Sequence, residues 1–124
     1  MNARRRWRVR LTAAAEADVR DIVLWTAKRF GAAQARAYAD TLSGAIRALA
    51  ERPAVPGARR REDIATGIMT LHVAGRGRKG RHLAVYRVGA PAQPPVVDVL
   101  RVLHDAMDLP RHVGERKDED SNHA

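Results

Sequence analysis

Four side chains carry the chemistry this sequence offers: Arg87 and Arg101, with His82 and His104. Two guanidiniums to hold a phosphate and two imidazoles to move protons are the parts a metal-free ribonuclease needs. One group takes the 2′-hydroxyl proton, another protonates the departing oxygen, and cations stabilise the charge growing on phosphorus. Arg101 is the most informative of them. It interrupts the apolar run Val99-Leu100-Arg101-Val102-Leu103, where a charge costs stability unless it is paired or reaches an open face. A structural role stands beside each chemical one: Arg101 pairing with Asp98, Asp105 or Asp108, His104 capping a final turn, His72 and His82 as ordinary strand residues. No catalytic residue is assigned on this basis. Tyr38 and Tyr86, the only tyrosines, fall where core packing explains them, and Arg59-Arg60-Arg61 beside Glu62 and Asp63 reads as a solvated basic run.

Composition narrows the options. The chain has 124 residues, 23 Lys+Arg against 14 Asp+Glu and a formal charge of +9, with no cysteine. That length suits one domain, and a core of this size needs no disulfide or metal staple. Thiol catalysis, disulfides and thiolate metal sites are excluded; no metal site and no cofactor is expected, and a reducing cytoplasm fits. The apolar runs are far short of the ~20 residues of a membrane span. Arg4-Arg5-Arg6 is not followed by the apolar stretch of about 7–15 residues that an export signal requires, so none is expected. Residues 114–124, GERKDEDSNHA, lack large apolar side chains and read as a disordered charged tail after a single domain spanning 1–113. A body this basic attracts a polyanion or an acidic protein through steering that weakens with salt.

The elements that must position these residues follow from periodicity. Trp7, Val9 and Leu11 alternate with Arg6, Arg8 and Arg10, as in a half-buried edge strand. Thr12 supplies an N-cap, Glu16 and Asp18 suit the positive end of a helix, and Lys28 and Arg29 the negative end. A helix is predicted over Ala13–Phe30, with Ala15, Val19, Ile22, Val23 and Phe30 on its apolar face and Gly31 as its stop. Ala35, Tyr38, Ala39, Leu42, Ala45, Ile46 and Leu49 trace a second helix that Pro53 ends; the short connection makes the two antiparallel neighbours. Its alanines leave a groove open to a partner's side chains. The stretch from Pro53 to Gly67 is a connector without a regular element. Three strands follow, Ile68–Ala74, His82–Val88 and Val96–Leu103, joined by a basic hairpin loop over 75–80 and by Gly89–Pro95; a helical turn closes the domain near Asp105–Arg111. The last strand is apolar on both faces and belongs inside the sheet. The class is α+β, in the order β-α-α-β-β-β: an antiparallel sheet with a helical hairpin on one face.

As a set these segments are similar to a known family. WRVRLTAAAEADVRDIVLWTAKRFG, AQARAYADTLSGAIRALAERP, GARRREDIATG, HLAVYRV and VDVLRVLHDAMDLPRHV together resemble the ParE branch of the ParE/RelE toxin superfamily over residues 7–113. The joint occurrence of Phe30-Gly31, Arg61-Glu62-Asp63-Ile64, Tyr86-Arg87-Val88 and Val102-Leu103-His104 carries the resemblance. It implies the toxin of a bacterial type II toxin–antitoxin pair, a plasmid-stabilisation protein. The ParE branch blocks DNA gyrase and the RelE branch cuts messenger RNA on the ribosome; an antitoxin with a flexible C-terminal segment silences either. The RelE branch carries a C-terminal catalytic tyrosine and lysines by the connector, and this chain has neither.

The reading is therefore a toxin that binds gyrase, with ribosome-dependent RNA cleavage as the alternative. Arg59, Arg60, Arg61, Arg101, His104, Arg111 and His112 form the expected target-contact zone. An acidic, ParD-like antitoxin is the expected hetero-oligomeric partner. It lays an amphipathic helix on the helical hairpin and an extended segment along the sheet, with Val19, Ile22, Leu42 and Ile46 as contacts when they are not core.

Overall fold

The computed structural model describes residues 7–74, 79–89, 96–107, 109 and 113. Thr12 starts the fold. Its hydroxyl accepts the Ala15 amide at 3.0 Å and donates to the Leu100 carbonyl at 2.8 Å, so the cap of α1 (Ala13–Phe30) is also its anchor to the sheet. Glu16 in the first turn and Lys28 and Arg29 in the last complement the helix dipole. Gly31 alone separates α1 from α2 (Ala32–Ala48). At φ +96° it sits where a side chain is strained, its amide donates to Ala27 and its carbonyl accepts from Ala35. α2 stops before the predicted Pro53. Leu49, Ala50 and Glu51 close it with tightened bonds to Ile46, Arg47 and Ala48, which lets Leu49 turn fully into the core.

Five strands form one sheet in the order β1-β5-β4-β3-β2: β1 (Arg8–Leu11), β2 (Arg59–Arg60), β3 (Ile68–His72), β4 (His82–Val88) and β5 (Val96–His104). β3, β4 and β5 make the expected antiparallel meander. The α+β class with its helical hairpin stands, with two corrections of detail. β1 runs parallel to β5, so the sheet is mixed. The meander leaves one edge of β5 open, and a strand apolar on both faces needs a second neighbour; the Thr12 anchor sets the direction from which β1 supplies it. The connector also contains a strand after all, because Arg59 and Arg60 pair antiparallel with Thr70 and Met69.

Two apolar layers flank the sheet. On the helix side, Leu42 and Leu49 pack with Leu71, Ala84, Tyr86, Val97, Val99 and Val102. On the second face, Ile68, Leu83, Val85 and Leu103 are covered by Leu109, with Ile64, Ala65 and Val113 around them. Leu109 and Val113 are helical, consistent with the predicted closing turn. The register of β4 and β5 slips by one residue between Val85 and Tyr86, opposite Leu100. This bulge is why Val99 and Val102, three residues apart, both face the helices. No helix among the described residues is long and apolar enough to cross a membrane. Most of the 75–80 loop, residues 90–95, Asp108, Arg111, His112 and the 114–124 tail lie outside the described residues.

Candidate functional site

Three histidines meet at one end of the sheet because β3 ends, β4 begins and β5 ends there. His82 lies opposite His104 in the ladder, and their rings contact edge to face with centroids 5.3 Å apart. His72 Nε2 is 2.9 Å from Asp105 Oδ2, and Arg81 Nε approaches the same carboxylate at 3.3 Å. Tyr38, reaching in from α2, bonds His82 Nδ1 at 2.7 Å and accepts the Arg81 amide at 3.3 Å.

Backbone donors set the tautomers. The Ala74 amide donates to His72 Nδ1 at 3.0 Å and the Ala106 amide to His104 Nδ1 at 3.1 Å, so both Nδ1 atoms are acceptors and the protons sit on Nε2. The 3.6 Å approach of His104 Nδ1 to Asp105 Oδ1 is therefore proximity rather than an ion pair. Tyr38 Oη accepts a hydrogen bond from the Arg81 amide, which leaves its hydroxyl hydrogen to bond His82 Nδ1. Burial, and then the nearby His104, hold the His82 imidazolium below its ordinary range. Burial likewise raises Tyr38, while the His72 bond and then Arg81 hold Asp105 low.

Beside this cluster, the side chain that interrupts β5 has found a partner. Arg101 bonds both carboxylate oxygens of Asp18, Nε to Oδ2 at 2.8 Å and Nη2 to Oδ1 at 3.0 Å, and Oδ2 also accepts the Val102 amide at 2.9 Å. The side chains are only 20% and 14% exposed. The acid comes from α1, 83 residues away, rather than from the acids near in sequence: Asp98 bonds Arg10 and Asp105 bonds His72 and Arg81. Asp18, Asp21, Ile22, His82, His104 and Met107 border a small cleft of about 210 Å³ above the pair.

The predicted quartet does not assemble. His82 shares the helix-side face with Ala84 and Tyr86, whereas Arg87 follows Leu83 and Val85 onto the other face, five residues or about 17 Å along the strand. Arg59 and Arg60 are exposed on β2, and Arg61 is bound by Asp63 at 2.9 and 2.8 Å. Leu42 is core at 1% exposure, Val19 and Ile22 pack partly against that core, and Ile46 is half-buried. Phe30, expected on the buried face, is 63% exposed and stacks edge-on with Trp25, over which the Arg29 guanidinium sits. The alanine-lined groove exists, but between α2 and the end of β3. Gly44, Ala45, Ala48, Val55, Leu71 and Val73 are among the residues lining about 530 Å³ there. Sequence reasoning missed Asp18, Tyr38 and Arg81 as site residues, since each acts on a group distant in the chain. The one available signal was Tyr38, a phenol on the apolar face of a helix, whose oxygen needs a partner.

Three comparisons bear on this arrangement. The model of the family described as ParE toxin of type II toxin-antitoxin system, parDE, matches residues 9–109. Toxin ParE1 of Caulobacter vibrioides is 33% identical over 105 residues, covering 85% of this chain and 96% of that protein. A solved structure of the chromosomal ParDE TA system from P. aeruginosa shares the fold with a TM-score of 0.64 at 20% identity, over 79% of this chain and 95% of that one.

Proposed function

The chain belongs to the ParE toxin family of type II toxin–antitoxin systems, and on that footing we propose that it arrests bacterial growth by binding DNA gyrase and is held in check by a cognate acidic antitoxin. It acts as a binding module. The observation that carries this reading is the Asp18–Arg101 pair. The cation best placed in the sequence to hold a scissile phosphate is instead committed to a carboxylate that also takes a β5 amide. Arg87 stands on the opposite face of the sheet from His82 and His104, so among the described residues the second expected phosphate donor does not join the histidines.

A non-enzymatic inhibitor needs a complementary surface, a few anchors and a steering charge. The formal charge of +9 supplies the steering. The α2–β3 groove offers a preformed apolar channel for the antitoxin's flexible segment, and the exposed Leu24, Trp25 and Phe30 of α1 extend an apolar surface for its helix. Purified protein is expected to inhibit gyrase supercoiling of plasmid, and the acidic product of the neighbouring gene to restore it and raise the melting temperature. Cleavage of message on ribosomes, with gyrase untouched, would replace this reading with the RelE-type one.

A further inference from the structure

The sheet face turned away from the helices carries charge that neither the site above nor its antitoxin groove uses. Side-chain alternation places Arg8 and Arg10 there, because Val9 and Leu11 pack on the helix side. It places Arg87 there after Leu83 and Val85, and Arg59 there as the ladder partner of Thr70. The register sets Arg10, Asp98, Arg87 and Ile68 side by side on four successive strands, and the Arg61 amide bonds the Ile68 carbonyl from beyond the last. Adjacent strands are about 4.8 Å apart, so this row spans about 19 Å, with arginines at roughly 10 Å intervals. Arg8 flanks it on β1.

Among the described residues, Asp98 on this face bonds Arg10 and Asp63 bonds Arg61. Arg8, Arg59 and Arg87 are exposed. The apolar cover of Ile64, Leu109 and Val113 buries Ile68 within the row and continues over Leu83, Val85 and Leu103 toward the other end of the sheet, leaving the β1, β5 and β4 positions of the row uncovered by it. We propose that the exposed Arg8, Arg59 and Arg87 of this face, with the ion-paired Arg10 and Arg61 between them, bind the phosphate backbone of duplex DNA, independently of sequence and without cleaving it.

Two features select the duplex. A duplex presents a charge about every 1.7 Å of axis, so the row faces a dense, regular array of phosphates, and guanidinium forks suit them. Single strands are gripped by aromatic stacking, and the five aromatic residues lie elsewhere: Trp7, Tyr38 and Tyr86 in or against the helix-side core, Trp25 and Phe30 on α1. A protein partner would draw on apolar anchors; the helix side exposes Leu24, Trp25 and Phe30, whereas Val96 and Leu100 on this face are half-buried. The proposal stands apart from the choice of gyrase as target, since it concerns DNA alone.

The test is fluorescence anisotropy of the full-length protein with a labelled 24-base-pair duplex of mixed sequence, without gyrase, from 50 to 300 mM salt. Single-stranded DNA and RNA of equal length and poly-glutamate serve as parallel probes. The duplex is expected to bind most tightly, with affinity falling linearly on logarithmic axes as salt rises. The double variant R8A/R87A, folded as judged by circular dichroism because both side chains are exposed, should weaken binding about 10- to 100-fold at 50 mM salt. It should also lower the salt slope by about two. Arg36→Ala with Arg47→Ala, on α2, gives the control for bulk charge. Absence of duplex binding, equal loss in the α2 control, or preference for a single strand would each overturn the proposal. So would Arg8- and Arg87-dependent binding of poly-glutamate alone, which would make the face a protein-docking surface.

Discussion

The histidine end of the sheet and the arginine face differ in how their charges are held. At the histidine end the polar groups are tied to one another: Asp18 to Arg101 and the Val102 amide, Asp105 to His72 and Arg81, Tyr38 to His82. On the opposite face Arg8, Arg59 and Arg87 point into solvent. Similar residue types thus do different work. Half-buried charges must be paired because desolvation is costly, and pairing removes them from chemistry; exposed charges contribute little to stability and stay available to a partner.

That contrast is open to direct attack. The largest effect is expected from Arg101→Ala, which strands Asp18 in a half-buried site and should cost about 2–4 kcal/mol in denaturant unfolding. Asp18→Asn, which keeps an acceptor for the Val102 amide, should cost less. An Arg101→Ala protein that unfolds like the wild type would show the pair to be idle in folding. Next, Gly80→Ala places a methyl 2.7 Å from Tyr38 Oη and from a Val73 methyl, and about 1–3 kcal/mol of destabilisation is expected. Adding Tyr38→Phe should return part of it, and strict additivity would separate Gly80 from the phenol.

A smaller effect concerns pH. His82 titrates below its ordinary 6.5 in the folded protein, under burial and the influence of His104 and His72, with Asp105 opposing them. The unfolded chain therefore binds more protons as pH falls through 6.5, and the His82 contribution, complete above that value, is lost toward the lower folded value. Asp105 is displaced in the same direction, so its contribution too is lost as pH falls, but only in strong acid, below the ordinary 3.8. Melting temperature should thus fall between pH 7 and 5, and less steeply in His82→Gln; identical slopes would remove His82 from the account. The smallest effect is Arg59→Ala, expected within about 0.5 kcal/mol of wild type by thermal melting.

What the sequence disclosed and what it withheld divide along local and long-range physics. α1 is found at its full length because both its ends are written locally, in the Thr12 cap and the Gly31 stop. β4 is found whole, since its alternation and β-branched content are local too. The parallel pairing of β1 depends on a neighbour 88 residues away, and β2 is two charged residues that become a strand only because Thr70 and Met69 lie alongside. Arg101 was legible as a residue that needed a partner, and Asp18 was not legible as that partner. Its place near the start of a helix had already been explained by the dipole, and only the Thr12 anchor and the bulge bring it over β5. Phe30 had the right spacing for the core, but at the last turn of α1 there is no facing bulk to receive it.

The placing of β5 between β1 and β4 has a temporal consequence. The strand that closes the sheet is the last to leave the ribosome, and until it arrives the first strand has nothing to pair with, the cap of the first helix has no anchor, and Asp18 has no counter-ion. Such closure over long sequence separations is slow relative to local helix formation. The folded protein is therefore complete only once β5 has emerged and taken its place between β1 and β4.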